Sequence, residues 1–298
     1  LCRNPLKKEF LKSNFLKKFS LSENIEIKTF RFIKIFYLID DFIFAAQIIK
    51  DIYKLKPNLV YARDYIAPCI TSLLSIKTVV ESHAFPDNRS LSLQLMIHGL
   101  KHLKFFRGLT TISPVLRESF LKNGVPPHKI KVLYDCVDLK LFSRNNNIKS
   151  SKNSVFSVLY SGHLYPYKGI NTLLEASKFL PNIKFQILGG NPSDIDALYK
   201  KKVLFGLKNV DVLGFVDFYK VPNYLFKSDL LILPPSLNHQ SANFTSPVKL
   251  GEYLASRTPI LASNIPALVN FLSEEEVFFF KADDPKNLAD KILFIKNN

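Results

Sequence analysis

Two runs in the second half of the chain combine residue types and spacing that suit an anionic ligand. The first is Ser161-Gly162-His163-Leu164-Tyr165-Pro166-Tyr167-Lys168-Gly169, which follows a β-rich run and opens a helical pattern. Backbone amides at a helix N-terminus, a glycine that permits close approach and a nearby lysine suit a phosphate or diphosphate. The run is neither a Walker loop, because GxxxxGK[ST] is absent, nor a GxGxxG fingerprint. Taken alone, it is first of all an ordinary βα turn with a solvated lysine. The second run extends from Pro235-Ser236 to Ser246-Pro247-Val248-Lys249-Leu250-Gly251-Glu252-Tyr253-Leu254-Ala255. Ser246 suits a helix cap and Pro247 the first helical position. Glu252 then falls one to two turns into the helix, where a carboxylate can accept hydrogen bonds from two adjacent hydroxyls, such as a ribose diol. Most glutamates on an amphipathic helix are simply solvated, and only the residues around Glu252 argue against that here.

The elements that must hold these runs follow a clear rhythm. Apolar strands are expected at Val155–Tyr160, Ile183–Leu188, Val210–Leu213, Asp229–Leu233, Pro259–Ala262 and Val277–Phe280. Helices are expected between and after them, at Ile170–Phe179, Ser193–Phe205, Phe218–Phe226, Val248–Ala255, Ala267–Leu272 and Asn287–Ile295. Short, almost wholly apolar strands alternating with amphipathic helices mean a parallel sheet covered on both faces, doubly wound in the Rossmann manner. The first half repeats the rhythm less fully. Its strands are expected at Ile25–Phe32, Leu59–Ala62, Thr78–Glu81, Leu109–Ile112 and Ile130–Leu133, and its helices at Phe42–Lys54, Ile66–Leu74, Leu91–Phe105 and Val115–Lys122, the last opened by Ser113-Pro114. The polar, aperiodic stretch Ser143–Asn153 reads as a linker. The fold class is therefore α/β, with two Rossmann-like domains over residues 1–145 and 146–298 and a ligand cleft between them.

Composition agrees with a folded, two-domain chain. Of 298 residues, 47% are hydrophobic, and 41 Lys+Arg against 25 Asp+Glu give a formal charge of +16. Three cysteines, Cys2, Cys69 and Cys136, exclude a disulfide scaffold and suit a reducing compartment. The richest apolar stretch, Ile35 to Ile49, is broken by Asp40 and Asp41 and does not span a membrane. Residues 1–20 carry Arg3, Lys7, Lys8, Lys12, Lys17 and Lys18 among Phe10, Leu11, Phe15, Leu16 and Phe19. Two readings of that segment stay open: a basic amphipathic stretch on an anionic membrane surface, or a solvated helix packing its apolar face on the domain. Nucleic acid is not expected as a partner, because the lysines are spread along the chain without a recognisable motif. The six histidines are scattered and no ligand set stands out, so no metal is expected.

The runs GHLYPYKGINTLLEA, QILGG, DLLILPPS and TSPVKLGEYLASRTPILAS, in this order and spacing, resemble the donor-binding domain of family 4 glycosyltransferases over about residues 155–285. LVYARD, VVESH, TTISPVLRESFLKNG and KVLYDCVDLKLF resemble, more loosely, the strand ends of the acceptor domain of the same enzymes. The resemblance implies the GT-B fold and retaining transfer from a nucleotide-sugar donor to a glycan or lipid-linked acceptor, in bacterial surface-polysaccharide assembly. It implies a cytoplasmic enzyme with no cofactor beyond the nucleotide-sugar co-substrate; a peripheral place at the inner face of the cell membrane is the expectation of the membrane-surface reading of residues 1–20.

Position by position, the resemblance sets Gly162 and Lys168 against the donor diphosphate, with His163 where many relatives have Arg and Gly189 closing the QILGG turn. Glu252 corresponds to the second glutamate of the Glu-x7-Glu motif, which holds the ribose. The first falls on Phe244, and Asn243, Thr245, Ser246 and Lys249 remain to offer polar contacts to the donor. A branch of the family with SPxKxxEY at this place also lacks the first glutamate. His83 matches a histidine beside the transferred sugar, although a lone histidine after a strand is more often structural, and Arg63 lines the acceptor side. His83, Lys168 and Glu252 are the expected catalytic set. Sugar transfer rests on positive potential at the departing diphosphate and needs no carboxylate pair. None stands out here, against a glycosidase. Two other readings stand beside the transferase: a weak or inactive nucleotide-binding relative, and a sugar-nucleotide epimerase on the same fold. No Gly-rich loop precedes Asn24, the chain opens on Leu1, and it stops at Asn298 within or just after a helix. The expectation is a chain incomplete at the N-terminus and at the C-terminus.

Overall fold

The computed structural model describes residues 37–86, 90–142 and 155–298. The basic segment 1–20, the expected strand at Ile25–Phe32 and the polar stretch Ser143–Asn153 lie outside the described residues. The described chain divides into two compact units, one ending at Tyr134 and the other beginning at Asp135.

The first unit holds a four-stranded, wholly parallel sheet in chain order: β1 (Val60–Ala62), β2 (Thr78–Ser82), β3 (Phe106–Thr111) and β4 (Ile130–Val132). Helices Tyr37–Leu55, Ala67–Leu73, Leu91–His102 and Pro114–Lys122 accompany the strands. Ser113 opens the last of these as its residue type suggests, its hydroxyl accepting the Leu116 N–H. The core joins Val80, Leu93, Met96, Leu100, Phe106, Leu109 and Phe120. Helix Leu91–His102 stops short of the expected Phe105, because Leu103 turns extended and Phe106, fully buried, enters β3.

The second unit carries six parallel strands in the order β10-β9-β8-β5-β6-β7. They are β5 (Ser157–Ser161), β6 (Lys184–Leu188), β7 (Val210–Gly214), β8 (Leu230–Leu233), β9 (Ile260–Ser263) and β10 (Phe278–Phe280). The chain enters at the middle of the sheet, winds outward through β6 and β7, returns to lay β8 beside β5, and winds outward again through β9 and β10. That reversal makes the unit doubly wound, as the sequence pattern implies. Every residue of β5, β8 and β9 is buried, so alternate side chains feed two cores. Val158, Leu230 and Ile232 face one with Leu173, Phe185 and Ile292. Leu159, Leu231 and Leu233 face the other with Tyr253, Ile265 and Phe142.

Two details depart from the sequence pattern for local reasons. The helix expected over Phe218–Phe226 divides into a 3-10 turn, Phe218–Lys220, and helix Val221–Lys227, with Pro222 in the first turn, where its missing N–H costs nothing. Residues 135–142, placed with the first half by their position in the sequence, pack on the second unit. Helix Leu139–Phe142 sends Phe142 fully into the core, its ring 5.3 Å from that of Phe218. Among the described residues, no helix is long and apolar enough to cross a membrane. Phe142→Ala should lower the stability of the second unit by about 3–5 kcal/mol in urea unfolding. Leu139→Ala, on a side chain left 61% exposed, should change it by less than about 0.5 kcal/mol.

Candidate functional site

At the reversal in strand order, the chain leaving β5 and the chain leaving β8 turn to opposite sides and cannot fill the space between them. A cavity of about 340 Å³ opens there. One wall is Tyr160 to His163 with Tyr167 and Lys168, beyond β5. The other is Leu233 to Pro235 with Ser241, beyond β8, and the segment Thr245 to Lys249 closes the end at the start of helix Val248–Ser256. The first turn of that helix, Val248 and Lys249, borders the space, where the positive end of the helix dipole lies.

Three contacts fix these walls. Gly169 adopts φ +75°, and a Cβ there would lie 1.6 Å from the Pro234 carbonyl oxygen, so the turn after β5 is packed backbone to backbone on the end of β8. The Tyr253 hydroxyl, fully buried, accepts the Ser161 N–H at 2.8 Å and ties helix Val248–Ser256 to the last residue of β5. Burial pushes the ionisation of Tyr253 well above the usual phenol range, so its proton stays on. Asp283, itself in left-handed backbone at φ +59°, gathers three donors on Oδ2: the Ser236 hydroxyl at 3.0 Å, the Leu237 N–H at 2.8 Å and the Asn238 amide at 3.3 Å. It thereby pins the loop after β8.

Two lysines bring positive charge to the cavity in different ways. Lys168 pairs with no carboxylate among the described residues; its ammonium lies 5.3 Å from the Tyr167 ring centroid, and burial pushes its pKa down. Lys249 donates to Glu252 Oε2 at 2.7 Å. The Glu252 side chain is 2% exposed. Burial pushes its carboxyl above the usual range, with the Lys249 charge and hydrogen bond pulling the other way. Beside the lysines runs a ladder of rings: His163 on Tyr165 at 5.1 Å, Tyr165 on Tyr167 at 5.6 Å, and Tyr167 on His239 at 4.2 Å and 13°.

Of the residues expected to meet a donor, Gly162, His163, Lys168, Thr245, Ser246 and Lys249 line this cavity. Gly162 gives it room rather than an amide: its N–H is taken by the Leu188 carbonyl at 2.9 Å, and a Cβ would press the Tyr160 hydroxyl at 2.9 Å. Gly189, at φ +115°, stands behind it, where a Cβ would meet the Gly162 carbonyl oxygen at 2.1 Å. Asn243 ends a 3-10 turn and is exposed. Glu252 lies beneath Lys249, outside the lining. Ser246 does not cap the helix; its hydroxyl accepts the Asp135 N–H at 3.2 Å, and Pro247 precedes the first helical residue. Tyr160, Tyr253 and Asp283 escape the sequence reading because phenols among apolar residues read as core, and a loop aspartate carries no spacing signal.

In the first unit, Arg63 follows β1 and His83 follows β2, at the carboxyl ends of neighbouring strands. His83 Nε2 pairs with Glu81, and the Tyr61 hydroxyl bonds Thr110 Oγ1 at 3.0 Å. Burial pushes the Glu81 carboxyl up. Hydrogen bonds from His83 and Tyr61 and the charges of His83 and Arg63 outweigh it, and the carboxyl rests below its usual range. Glu81 is the partner the sequence reading missed; its place two residues before His83 was the available sign.

Residues 155–298 match the family described as "Glycosyl transferases group 1". Over 166 residues the chain is 26% identical to the processive diacylglycerol alpha-glucosyltransferase of Acholeplasma laidlawii, covering 55% of this chain and 46% of the relative. It is also 26% identical to an uncharacterized 41.2 kDa protein in the cps region of Klebsiella pneumoniae, covering 51% and 41%. The matches thus span less than half the length of either curated relative. Among solved structures, Anabaena HepE in complex with UDP superposes with a TM-score of 0.68 at 17% identity, covering 85% of this chain and 72% of that one. A glycosyltransferase from Rickettsia africae gives 0.68 at 17% identity, covering 96% and 77%. Likeness at this level of identity carries the fold, parallel α/β of the GT-B type.

The contacts that build the cavity make graded predictions for urea unfolding. Gly169→Ala should cost at least about 2 kcal/mol, from left-handed strain and a backbone clash together. Gly206→Ala should cost about 1 kcal/mol, since Gly206 has the same sign of φ and nothing within 4 Å of its added Cβ. Tyr253→Phe, which strips the partner from the buried Ser161 N–H, should cost about 1–3 kcal/mol.

Proposed function

We propose, from the match of residues 155–298 to the family described as group 1 glycosyl transferases, that the protein moves a sugar from a nucleotide-sugar donor to a glycan or lipid-linked acceptor, with retention of configuration. The observation that carries this reading is the cavity between the ends of β5 and β8, with Lys168, Lys249 and a helix start around it. As the bond to the sugar breaks, negative charge gathers on the departing diphosphate and positive charge on the sugar ring. Fixed cationic groups and backbone dipoles at the diphosphate stabilise that state more than the ground state. Lys168, beside the Tyr167 ring and paired with no carboxylate among the described residues, is the residue to which we assign most of this work. We assign His83, oriented by Glu81, and Arg63 to the sugar and the acceptor.

Relatives bear on the chemistry of both substrates. HepE is described in complex with UDP, with UDP and glucose, and with UDP-glucose, which favours a UDP-sugar donor. The Acholeplasma relative is named for a diacylglycerol acceptor, which favours a lipid-linked one, and the Klebsiella relative lies in a cps region. We place the activity in bacterial surface-polysaccharide assembly, in the cytoplasm at the inner face of the membrane. One observation favours a second reading, a nucleotide-binding relative with weak or no transfer. The position of the first motif glutamate holds Phe244, 7% exposed and without a carboxylate.

The test is release of nucleoside diphosphate by the full-length protein from UDP-, GDP- and ADP-sugars, alongside binding of the same donors. Release with one donor is the expected result. Binding without release favours the second reading, and failure of every donor to bind contradicts both. Lys168→Ala should weaken diphosphate binding about tenfold or more, the worth of a charge-assisted contact. The pH dependence follows from the depressed pKa of Lys168. Its charge is lost as pH rises through a value below that of an ordinary lysine. Donor affinity should therefore fall in the alkaline range earlier than a free lysine allows, and Lys168→Arg, charged throughout, should flatten the fall.

A further inference from the structure

We propose that His163 is a proton-carrying contact for the donor, its imidazole taking up a proton from solvent when a nucleotide sugar binds. The inference rests on the diphosphate reading of the cavity and adds a conditional cation to its two lysines. Three observations place the residue. His163 lines the cavity together with Lys168 and Lys249. Its main chain is held, because the Tyr160 hydroxyl donates to the His163 carbonyl. Burial pushes the ionisation of Tyr160 up, so that donor keeps its proton. The imidazole is held as well, stacked on Tyr165 at 5.1 Å and 16°, with Tyr167 next in the ladder and also in the lining.

The chemistry of the lining favours one charge state of the ring once the ligand is present. Among the described residues, none that lines the cavity is an aspartate or a glutamate, so no carboxylate of the lining competes with a phosphate. The other titratable groups about it are the Lys168 and Lys249 ammoniums and the phenols of Tyr160, Tyr165 and Tyr167. Glu252 stands outside the lining on Lys249 Nζ, its carboxyl pushed up by burial. At the far end of the ladder, His239 Nδ1 accepts the Ser241 N–H at 3.2 Å. The Tyr165 ring face suits a cation. The diphosphate of a nucleotide sugar is a diester that keeps its negative charges across the neutral range. A protonated imidazole meets it with charge-assisted N–H donors on both nitrogens, one more than a neutral ring has. Whatever share of the imidazole is neutral before the ligand arrives therefore gains from a proton on binding, and that proton links affinity to pH. The sign follows: binding is tighter on the acid side of the ordinary histidine range and weakens as pH rises through it.

Calorimetry of UDP-glucose, GDP-mannose and ADP-glucose on the full-length protein, in buffers of different ionisation enthalpy, counts the protons taken up. A sugar nucleotide is the probe because the terminal phosphate of a free nucleoside diphosphate titrates in the same range as histidine. The variants are His163→Gln, His163→Arg and His239→Gln, at side chains that are exposed or half-buried, with thermal unfolding to verify the fold. For the donor that binds, the parent and His239→Gln should take up a fraction of one proton near neutral pH, and both His163 variants should lose that uptake. Across the ordinary histidine range the affinity of the parent should fall about tenfold as pH rises, the equivalent of a shift of about one unit on binding. His163→Arg should keep the tight binding throughout that range, and His163→Gln the weak binding. Uptake that survives in His163→Gln would assign the proton to another group, Glu252 among them, and overturn the proposal. A parent profile that superimposes on that of His163→Gln, or loss of the uptake in His239→Gln alone, would also overturn it. Failure of the parent to bind any of the three donors removes the diphosphate reading and this inference with it. Binding without proton uptake overturns this inference and leaves that reading standing.

Discussion

The second unit is organised around one close contact. The backbone at Gly169 lies so near the Pro234 carbonyl that no side chain fits between them. It joins the turn that leaves β5 to the turn that leaves β8, at the one place in the sheet where the chain reverses its winding. A parallel sheet always leaves a crevice at such a reversal. What the contact adds is a defined width: with the turns locked together at their base, the cavity above them keeps one shape. Lys168 sits beside that contact, so its ammonium inherits the rigidity of two strands rather than the freedom of a loop.

The other supports work in the same direction. Tyr253 spans from the helix after the cavity back to the end of β5, and its buried hydroxyl is the only feature that distinguishes it from a core phenylalanine. Asp283 reaches from beyond β10 to the loop after β8. Each ties a cavity wall to a different strand, Tyr253 from within the core and Asp283 from the half-buried edge. A polar group buried like the Tyr253 hydroxyl costs stability unless its partner is met, and here the partner is the backbone of a wall, the Ser161 N–H. Geometry at the cavity is thus part of the stability of the unit.

β8 was legible because an unbroken apolar run of four or five residues, closed by glycine or proline, has few other uses, and Leu230–Leu233 before Pro234 is such a run. The doubly wound class followed from the alternation of strands and helices; the strand order, and hence the place of the cavity within the second unit, did not. Choice of partner was not legible. Ser246 has the type and place of a cap, yet its hydroxyl goes to the Asp135 backbone, a residue more than a hundred positions earlier. Glu252 has the type of a ligand-binding carboxylate, and the sequence did not show that its Oε2 also meets the Lys249 ammonium three residues before it, at 2.7 Å. Residues 135–142 read as the tail of the first half because nothing local says which core will take Phe142. In each case periodicity fixes a face, and the partner on that face is set by tertiary packing.

The central claim is that the crevice between β5 and β8 receives the diphosphate of a nucleotide-sugar donor. Crystals of the full-length protein soaked with UDP-glucose test it most directly. The account predicts electron density for the two phosphates in the cavity, within hydrogen-bond distance of the Lys168 and Lys249 ammonium groups. Density for the nucleotide at any other site, with this cavity left to solvent, would contradict it.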